Sequence, residues 1–179
     1  MTVSMHTRVF LVGLSGSGKS TVGQRVAKSL SWNFVDTDRQ IVARSGMTIA
    51  NMFKTLGEKH FRKLERNILL ETLEVERTIV ATGGGMMVYS DNEKEMLENG
   101  LVVYLKATPH KCANNLLRSQ HHEKRPLIGQ DRNTESALNL LLNKRKASYE
   151  RAHFILDVEH LNLSGMTTAL TNLIESDSG

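Results

Sequence analysis

Residues Gly13 to Ser20 read Gly-Leu-Ser-Gly-Ser-Gly-Lys-Ser, which fits the spacing G-x-x-x-x-G-K-[ST]. No other stretch limits the fold so narrowly, because such a turn works only between a buried strand and the first turn of a helix. Arg8-Val9-Phe10-Leu11-Val12 supplies the strand as a short apolar run, and Val22, Val26, Ala27 and Leu30 follow at helical spacing. The glycines let successive backbone N–H groups turn inward around a polyphosphate, and the helix N-terminus adds its own attraction for negative charge. Lys19 then reaches the β- and γ-phosphates and Ser20 offers a hydroxyl to Mg²⁺, with Gly16, Ser17, Gly18 and Thr21 lining the cradle. In this setting the loop predicts a nucleoside triphosphate site rather than an ordinary glycine turn.

The rest of the chain repeats the alternation that the loop begins. Apolar runs fall at Arg8 to Leu14, Asn33 to Val35, Thr78 to Ala81, Leu101 to Leu105 and Phe154 to Val158. Amphipathic segments separate them. Thr48 caps a helix carrying Ile49, Met52, Phe53 and Leu56, Ser90 with Glu93 forms a capping box, and Gly100 closes that helix. Thr108-Pro109 is a cap followed by proline at the first helical position, and Ser164 opens a last helix with Ala169, Leu170, Leu173 and Ile174 on one face. Alternation of this kind predicts an α/β fold of three layers, a central parallel five-stranded sheet with helices on both faces. Ligands of such sheets sit beyond the C-terminal ends of the strands, so the loops that follow strands should carry the chemistry.

At 179 residues the chain has the size of a single domain, with the first seven residues read as a disordered lead. No apolar stretch approaches the roughly 18 residues of a membrane span, and the N-terminus lacks a basic region followed by an apolar one. A cytoplasmic protein is expected, with no membrane and no nucleic acid among its partners. Cys112 is the single cysteine, which excludes an intrachain disulfide, and its spacing to Leu116 reads as a buried small hydrophobe. The net charge of +4 is interspersed with acids, and aromatic content is only 5%, so the basic excess is read as lining a site for anionic small molecules.

Four further constellations carry chemistry. Asp36-Thr37-Asp38 follows the second strand; in extended chain its two carboxylates point the same way, one toward a metal and the other toward a substrate hydroxyl. From Gly57 onward, Phe61, Leu64, Ile68 and Leu73 form a buried helix face, Glu58 and Arg62 are an i,i+4 pair, and Arg62 and Glu65 an i,i+3 pair. These pairs read either as a solvated charged face or as Glu65 orienting Arg62 toward a substrate carboxylate. Gly83-Gly84-Gly85 ends the third strand, where glycines permit close backbone approach to a small molecule. Ser119 to Asn133 is polar and without periodicity, read as a mobile lid whose Arg125, beside Pro126, closes over the γ-phosphate. Arg118 is a weaker candidate for contact with the nucleotide, and the cluster Lys144-Arg145-Lys146 ordinarily reads as a solvated face.

In this order the motifs resemble those of shikimate kinases: the phosphate loop, Asp-x-Asp, Gly-Glu-x-x-Phe-Arg-x-x-Glu, Gly-Gly-Gly, Arg-Pro-Leu and Arg-x-x-x-Tyr. The resemblance runs from about Arg8 to the last helix. The phosphate loop alone is shared with gluconate kinases and adenylylsulfate kinases; the later motifs discriminate. The resemblance implies a P-loop kinase fold and transfer of a phosphoryl group from ATP, with Mg²⁺, to the 3-hydroxyl of shikimate, a step toward aromatic amino acids. It implies that Asp36 holds the metal through water, that Asp38 accepts or orients the hydroxyl proton, and that Arg62 and Arg145 grip the carboxylate. Gly83, Gly84 and Gly85 would lie against the substrate ring, Lys19, Asp38 and Arg125 would form the catalytic set, and a monomer is expected. The third strand ends Ala81-Thr82, without the aspartate many P-loop proteins carry there, Ile128 replaces a common leucine, and no arginine stands between Asp157 and Ser164 where some relatives place one near the adenine. A gluconate kinase and a non-enzymatic nucleotide-binding or nucleic-acid-binding module are the rival readings; the substrate-side carboxylate speaks against the second.

Overall fold

The computed structural model describes residues 7–119 and 134–177. Five strands, β1 (Arg8–Val12), β2 (Asn33–Asp36), β3 (Thr78–Ala81), β4 (Leu101–Lys106) and β5 (Phe154–Asp157), form one sheet in the order β2-β3-β1-β4-β5. Every pairing is parallel, with Val9 opposite both Ile79 and Leu101. The helices are α1 (Lys19–Leu30), α2 (Thr37–Ser45), α3 (Ile49–Thr72), α4 (Ser90–Asn99), α5 (Pro109–Arg118), α6 (Thr134–Tyr149) and α7 (Leu163–Asp177). The lid and its Arg125 lie outside the described residues, as do residues 1–6. Thr7 already joins the sheet, its carbonyl accepting from the Thr78 N–H at 3.1 Å.

β1 is apolar without alternation because both of its faces are covered, and Val9, Phe10, Leu11 and Val12 are all buried. Successive side chains of a strand point to opposite faces. Leu11 lies under α1, where a Cβ at Gly23 would come within 3.0 Å of it; Phe10 lies under the end of α4, where a Cβ at Gly100 would come within 2.6 Å. Gly100 is therefore needed for close approach, and its φ of −172° is ordinary extended backbone rather than a left-handed cap. A smaller apolar cluster, Ile41, Met52, Phe61 and Ile68, joins α2 to α3 beside the main core. Among the described residues no helix is long and apolar enough to cross a membrane.

Local signals place most element ends. The Thr48 side chain accepts from Asn51 N and the Thr108 side chain from Lys111 N, both as expected at helix N-termini. Two caps differ from the sequence reading. α4 begins at Ser90 with Tyr89 in the cap position, and Glu93 is engaged by Arg151, whose Nη2 lies 2.7 Å from its Oε2. The last helix begins at Leu163, and Asn162, not Ser164, accepts from Gly165 N at 2.9 Å. Leu56 is 49% exposed, because Gly57 at φ 81° kinks α3 and turns its first part away from the apolar face of the second.

Candidate active site

The phosphate loop leaves β1 and feeds α1. Gly13, Gly16 and Gly18 all have positive φ, which a side chain would resist. Space is as tight as conformation: a Cβ at Gly13 would lie 2.7 Å from the Leu105 carbonyl oxygen, and one at Gly16 2.4 Å from that of Cys112. Lys19 starts the helix, is 8% exposed, and donates from Nζ to the carbonyls of Gly13 at 2.8 Å and Leu14 at 2.7 Å. Its ammonium is thus folded over its own loop. Ser17 is buried, and its Oγ is one of two buried polar side-chain atoms without a hydrogen-bond partner among the described residues. Thr21 is exposed on the first turn of α1.

The Ser20 hydroxyl donates to Asp36 Oδ2 at 2.5 Å, joining the two residues expected to hold a metal. A hydroxyl and a carboxylate beside a phosphate loop suit Mg²⁺, which keeps several waters and takes few protein oxygens together with substrate phosphates. The sequence reading has Asp36 and Asp38 pointing the same way, as in extended chain; in the structure they diverge. The helix α2 begins at Thr37, so Asp36 is its N-cap, accepting from Arg39 N at 3.1 Å, while Asp38 sits in the first helical turn. The helix turn sends Asp38 toward the end of β3, where a Cβ at Gly83 would lie 2.7 Å from its Oδ1. Thr37 between them is buried, and its Oγ1 accepts from Gly83 N at 2.8 Å.

Each glycine after β3 makes room for a charged side chain. A Cβ at Gly83 would meet Glu65 Oε1 at 2.6 Å, one at Gly84 would meet Arg145 Nη1 at 3.1 Å, and one at Gly85 would meet both Arg62 terminal nitrogens at 2.9 Å. None of the three has positive φ, so sterics rather than backbone conformation require glycine. In the structure these glycines allow the close approach of the protein's own arginines and acids.

Arg62 is the most constrained of these groups. Its Nε and Nη2 donate to Glu58 Oε1 at 3.2 and 2.9 Å, and Nη1 to Glu65 Oε2 at 2.8 Å, so both expected helix pairs form. Its guanidinium also lies 5.1 Å from the Phe61 ring centre and 4.9 Å from that of Tyr89. A guanidinium has five N–H donors, and these bonds leave one on each terminal nitrogen. Burial works against the charge, but Glu65 and Glu58 hold the Arg62 pKa above its ordinary value. Glu65 itself is fully buried, and burial pushes its carboxyl up to about 7 even though Arg62 pulls the other way; Asp38 adds to the rise. Its Oε1 is the second buried atom without a partner.

Arg145 is only 9% exposed while its neighbours Lys144 and Lys146 are exposed, so the basic cluster divides into one inward and two outward side chains. One helical turn on, Tyr149 is fully buried and donates its hydroxyl to the Gly84 carbonyl. Sequence reading assigned no role to Tyr149, to Thr37 or to Tyr89. For Tyr149 a signal existed, since i and i+4 positions share a helix face with Arg145. Arg118 is exposed in the last turn of α5. Cys112 is buried with its thiol pushed up to about 11 by burial, as an inert apolar residue should be.

The two halves touch. The Cβ position at Gly84 lies 3.5 Å from the Gly13 carbonyl oxygen and 3.7 Å from Ser15 N, so the glycine run rests against the phosphate loop itself. A parallel sheet of this order with a phosphate loop after its central strand defines a P-loop kinase fold. The model of the shikimate kinase family matches residues 15–175. A shikimate kinase of Burkholderia thailandensis is 37% identical over 95% of this chain and 91% of that protein, and one of Caldanaerobacter subterraneus is 34% identical over 84% and 85%. The solved shikimate kinase from Acinetobacter baumannii in complex with shikimate superposes with a TM-score of 0.86 at 31% identity, covering 98% of this chain and 96% of that one. A gluconokinase from Sinorhizobium meliloti shares the fold at a TM-score of 0.58, but at 16% identity over 96% and 95% of the two chains. The chain belongs to the shikimate kinase family.

Proposed function

We infer that this protein transfers the γ-phosphoryl group of ATP to the 3-hydroxyl of shikimate, giving shikimate 3-phosphate and ADP, a step of aromatic amino acid biosynthesis. The observation that carries the reading is the contact of the Gly83–Gly85 run with both Arg62 and Arg145 on one side and the phosphate loop on the other. An acceptor whose carboxylate is held by the two arginines would present its ring to the glycines and a hydroxyl toward the loop. The unspent N–H on each Arg62 terminal nitrogen supports a two-pronged grip on that carboxylate.

In the reaction the acceptor oxygen bonds to the γ-phosphorus, the bond from that phosphorus to the bridging oxygen breaks, and ADP leaves with the electron pair. Asp38 takes or orients the hydroxyl proton. Lys19 exchanges its loop carbonyls for phosphate oxygens and neutralises the charge that develops on them. Ser20 and Asp36 would hold Mg²⁺, which supplies further charge neutralisation when bound. Positioning and electrostatics provide most of the rate, since phosphoryl transfer asks little covalent work of the protein.

ADP release measured with shikimate, with gluconate and with no acceptor tests this reading. Turnover with shikimate alone is the expected result. Gluconate turnover in its place would assign the arginines to a different sugar acid, and equal ADP release without acceptor would make the chain an ATPase. Titrating Mg²⁺ should restore activity to metal-stripped enzyme, with a higher requirement in Asp36→Asn.

A further inference from the structure

The proposed acceptor groups lie over β2 and β3, on one side of the central strand β1. With the acceptor there, the nucleoside end of the phosphate donor would lie on the other side, over β4 and β5. Two elements border the phosphate loop there. α5 packs on Gly16, whose Cβ position lies 3.0 Å from Leu116 Cγ, and α7 reaches Gly18, whose Cβ position lies 3.0 Å from Met166 Cε. Residues 158–162 connect β5 to α7 without regular structure.

Lys111 of α5 holds that segment. Its Nζ donates to the carbonyls of Val158, of Glu159 at 2.7 Å and of Leu161 at 3.1 Å. Carbonyl oxygens that converge repel one another, and the ammonium compensates them with as many donors as it has. Glu159 completes the joint by accepting from Thr108 N at 2.9 Å and Thr108 Oγ1 at 3.0 Å, at the start of the same helix. One turn further along α5, Asn115 Nδ2 donates to the Gly16 carbonyl at 2.9 Å. Positions 111 and 115 share a helix face, so one rigid element grips the phosphate loop and the segment after β5 together.

We propose that α5 is a strut, in which Lys111 and Asn115 fix the span between the phosphate loop and residues 158–161 and so position the nucleoside end of ATP. Both are positioning residues, and the proposal rests on the kinase reading above. Lys111 acts on the nucleoside wall alone, whereas Asn115 acts on the phosphate loop.

Titration calorimetry with ATP and with inorganic tripolyphosphate, which has no nucleoside, separates the two roles. Lys111→Met should weaken ATP binding by roughly tenfold or more, the cost of losing charged hydrogen bonds, and leave tripolyphosphate binding and the shikimate KM unchanged. Lys111→Arg, which keeps the charge but cannot converge its planar donors on the same carbonyls, should fall between. Asn115→Leu should weaken both ligands. Equal loss of ATP and tripolyphosphate in Lys111→Met, or no loss of either, would overturn the proposal. If that variant fails to fold, amide exchange in the wild type decides: residues 158–162 should be protected by ATP and not by tripolyphosphate, and equal or absent protection overturns it. A wild-type enzyme that shows these binding patterns but does not phosphorylate shikimate would refute the acceptor assignment and leave the strut standing.

Discussion

On the phosphate side, the cradle comes from consecutive residues, Gly13 to Ser20, and its shape is backbone held by glycines at positive φ. On the acceptor side, Asp38, Arg62, Gly83–Gly85 and Arg145 come from α2, α3, the loop after β3 and α6, and their geometry is side-chain ion pairing in a buried setting. The first arrangement is local, and its glycines leave little room for any side chain. The second holds only while distant elements stay packed, so substitution should change its affinity without touching the nucleotide. Phosphate chemistry common to many enzymes is thus separated from the selection of one acceptor.

The largest effect should come from the phosphate side. Lys19→Ala removes a cation from the developing phosphoryl charge, a loss on the order of 3 kcal/mol or more than about a hundredfold in kcat. A kcat close to that of the wild type would break the assignment. Arg62→Lys should raise the shikimate KM by roughly ten- to 150-fold, about 1.5–3 kcal/mol, while the ATP KM stays nearly constant, because an ammonium cannot reproduce the fork. If the ATP KM rises in parallel, the two sides are not independent.

Gly85→Ala sharpens the comparison without altering any charge. The new Cβ would lie 2.9 Å from both Arg62 terminal nitrogens and must push the guanidinium aside. A shikimate KM raised by about tenfold or less is expected, on the scale of one or two hydrogen bonds. Gly46→Ala is the control: nothing lies within 4 Å of its Cβ position, and its φ of 65° should cost about 1 kcal/mol of stability with both KM values unchanged. Identical kinetics in the two variants would show that Arg62 does not depend on Gly85.

The smallest effect concerns pH. Burial raises the Glu65 carboxyl from 4.5 to about 7. The folded protein therefore keeps a proton that the unfolded chain has lost in that window, so the contribution of Glu65 to stability falls as pH rises from about 4.5 to about 7 and is flat above it. Glu65→Gln should remove this slope from urea midpoints measured across the window. An unchanged slope would mean that another group carries it.

Much of the fold was legible in the sequence because its signals are local. Apolar runs located all five strands to within a residue or two, and caps such as Thr48 and Thr108 marked helix starts. The structure brings Asp38, Arg62 and Arg145 to the glycine run, but the physical reasons for that geometry were not legible. The divergence of Asp36 and Asp38 depends on a helix that starts at Thr37, and extended-chain alternation could not supply it. The glycine run was read as room for a ligand, whereas it first makes room for Glu65, Arg145 and Arg62, which tertiary packing brings from other elements. Thr37 and Tyr149 tie that run in place through hydrogen bonds between segments far apart in the chain, and only the fold reveals such partners.

The separation of the two sides stands or falls on whether Arg62 and the acceptor carboxylate share one interaction. The most direct measurement is a cycle of four kcat/KM values, wild type and Arg62→Lys, each with shikimate and with its neutral carboxamide. The amide should be a poor substrate for the wild type, and the mutation should then add little, giving a coupling energy of about 1 kcal/mol or more. Losses that simply add would contradict the account, leaving Arg62 a structural residue of α3 and the acceptor side without its anchor.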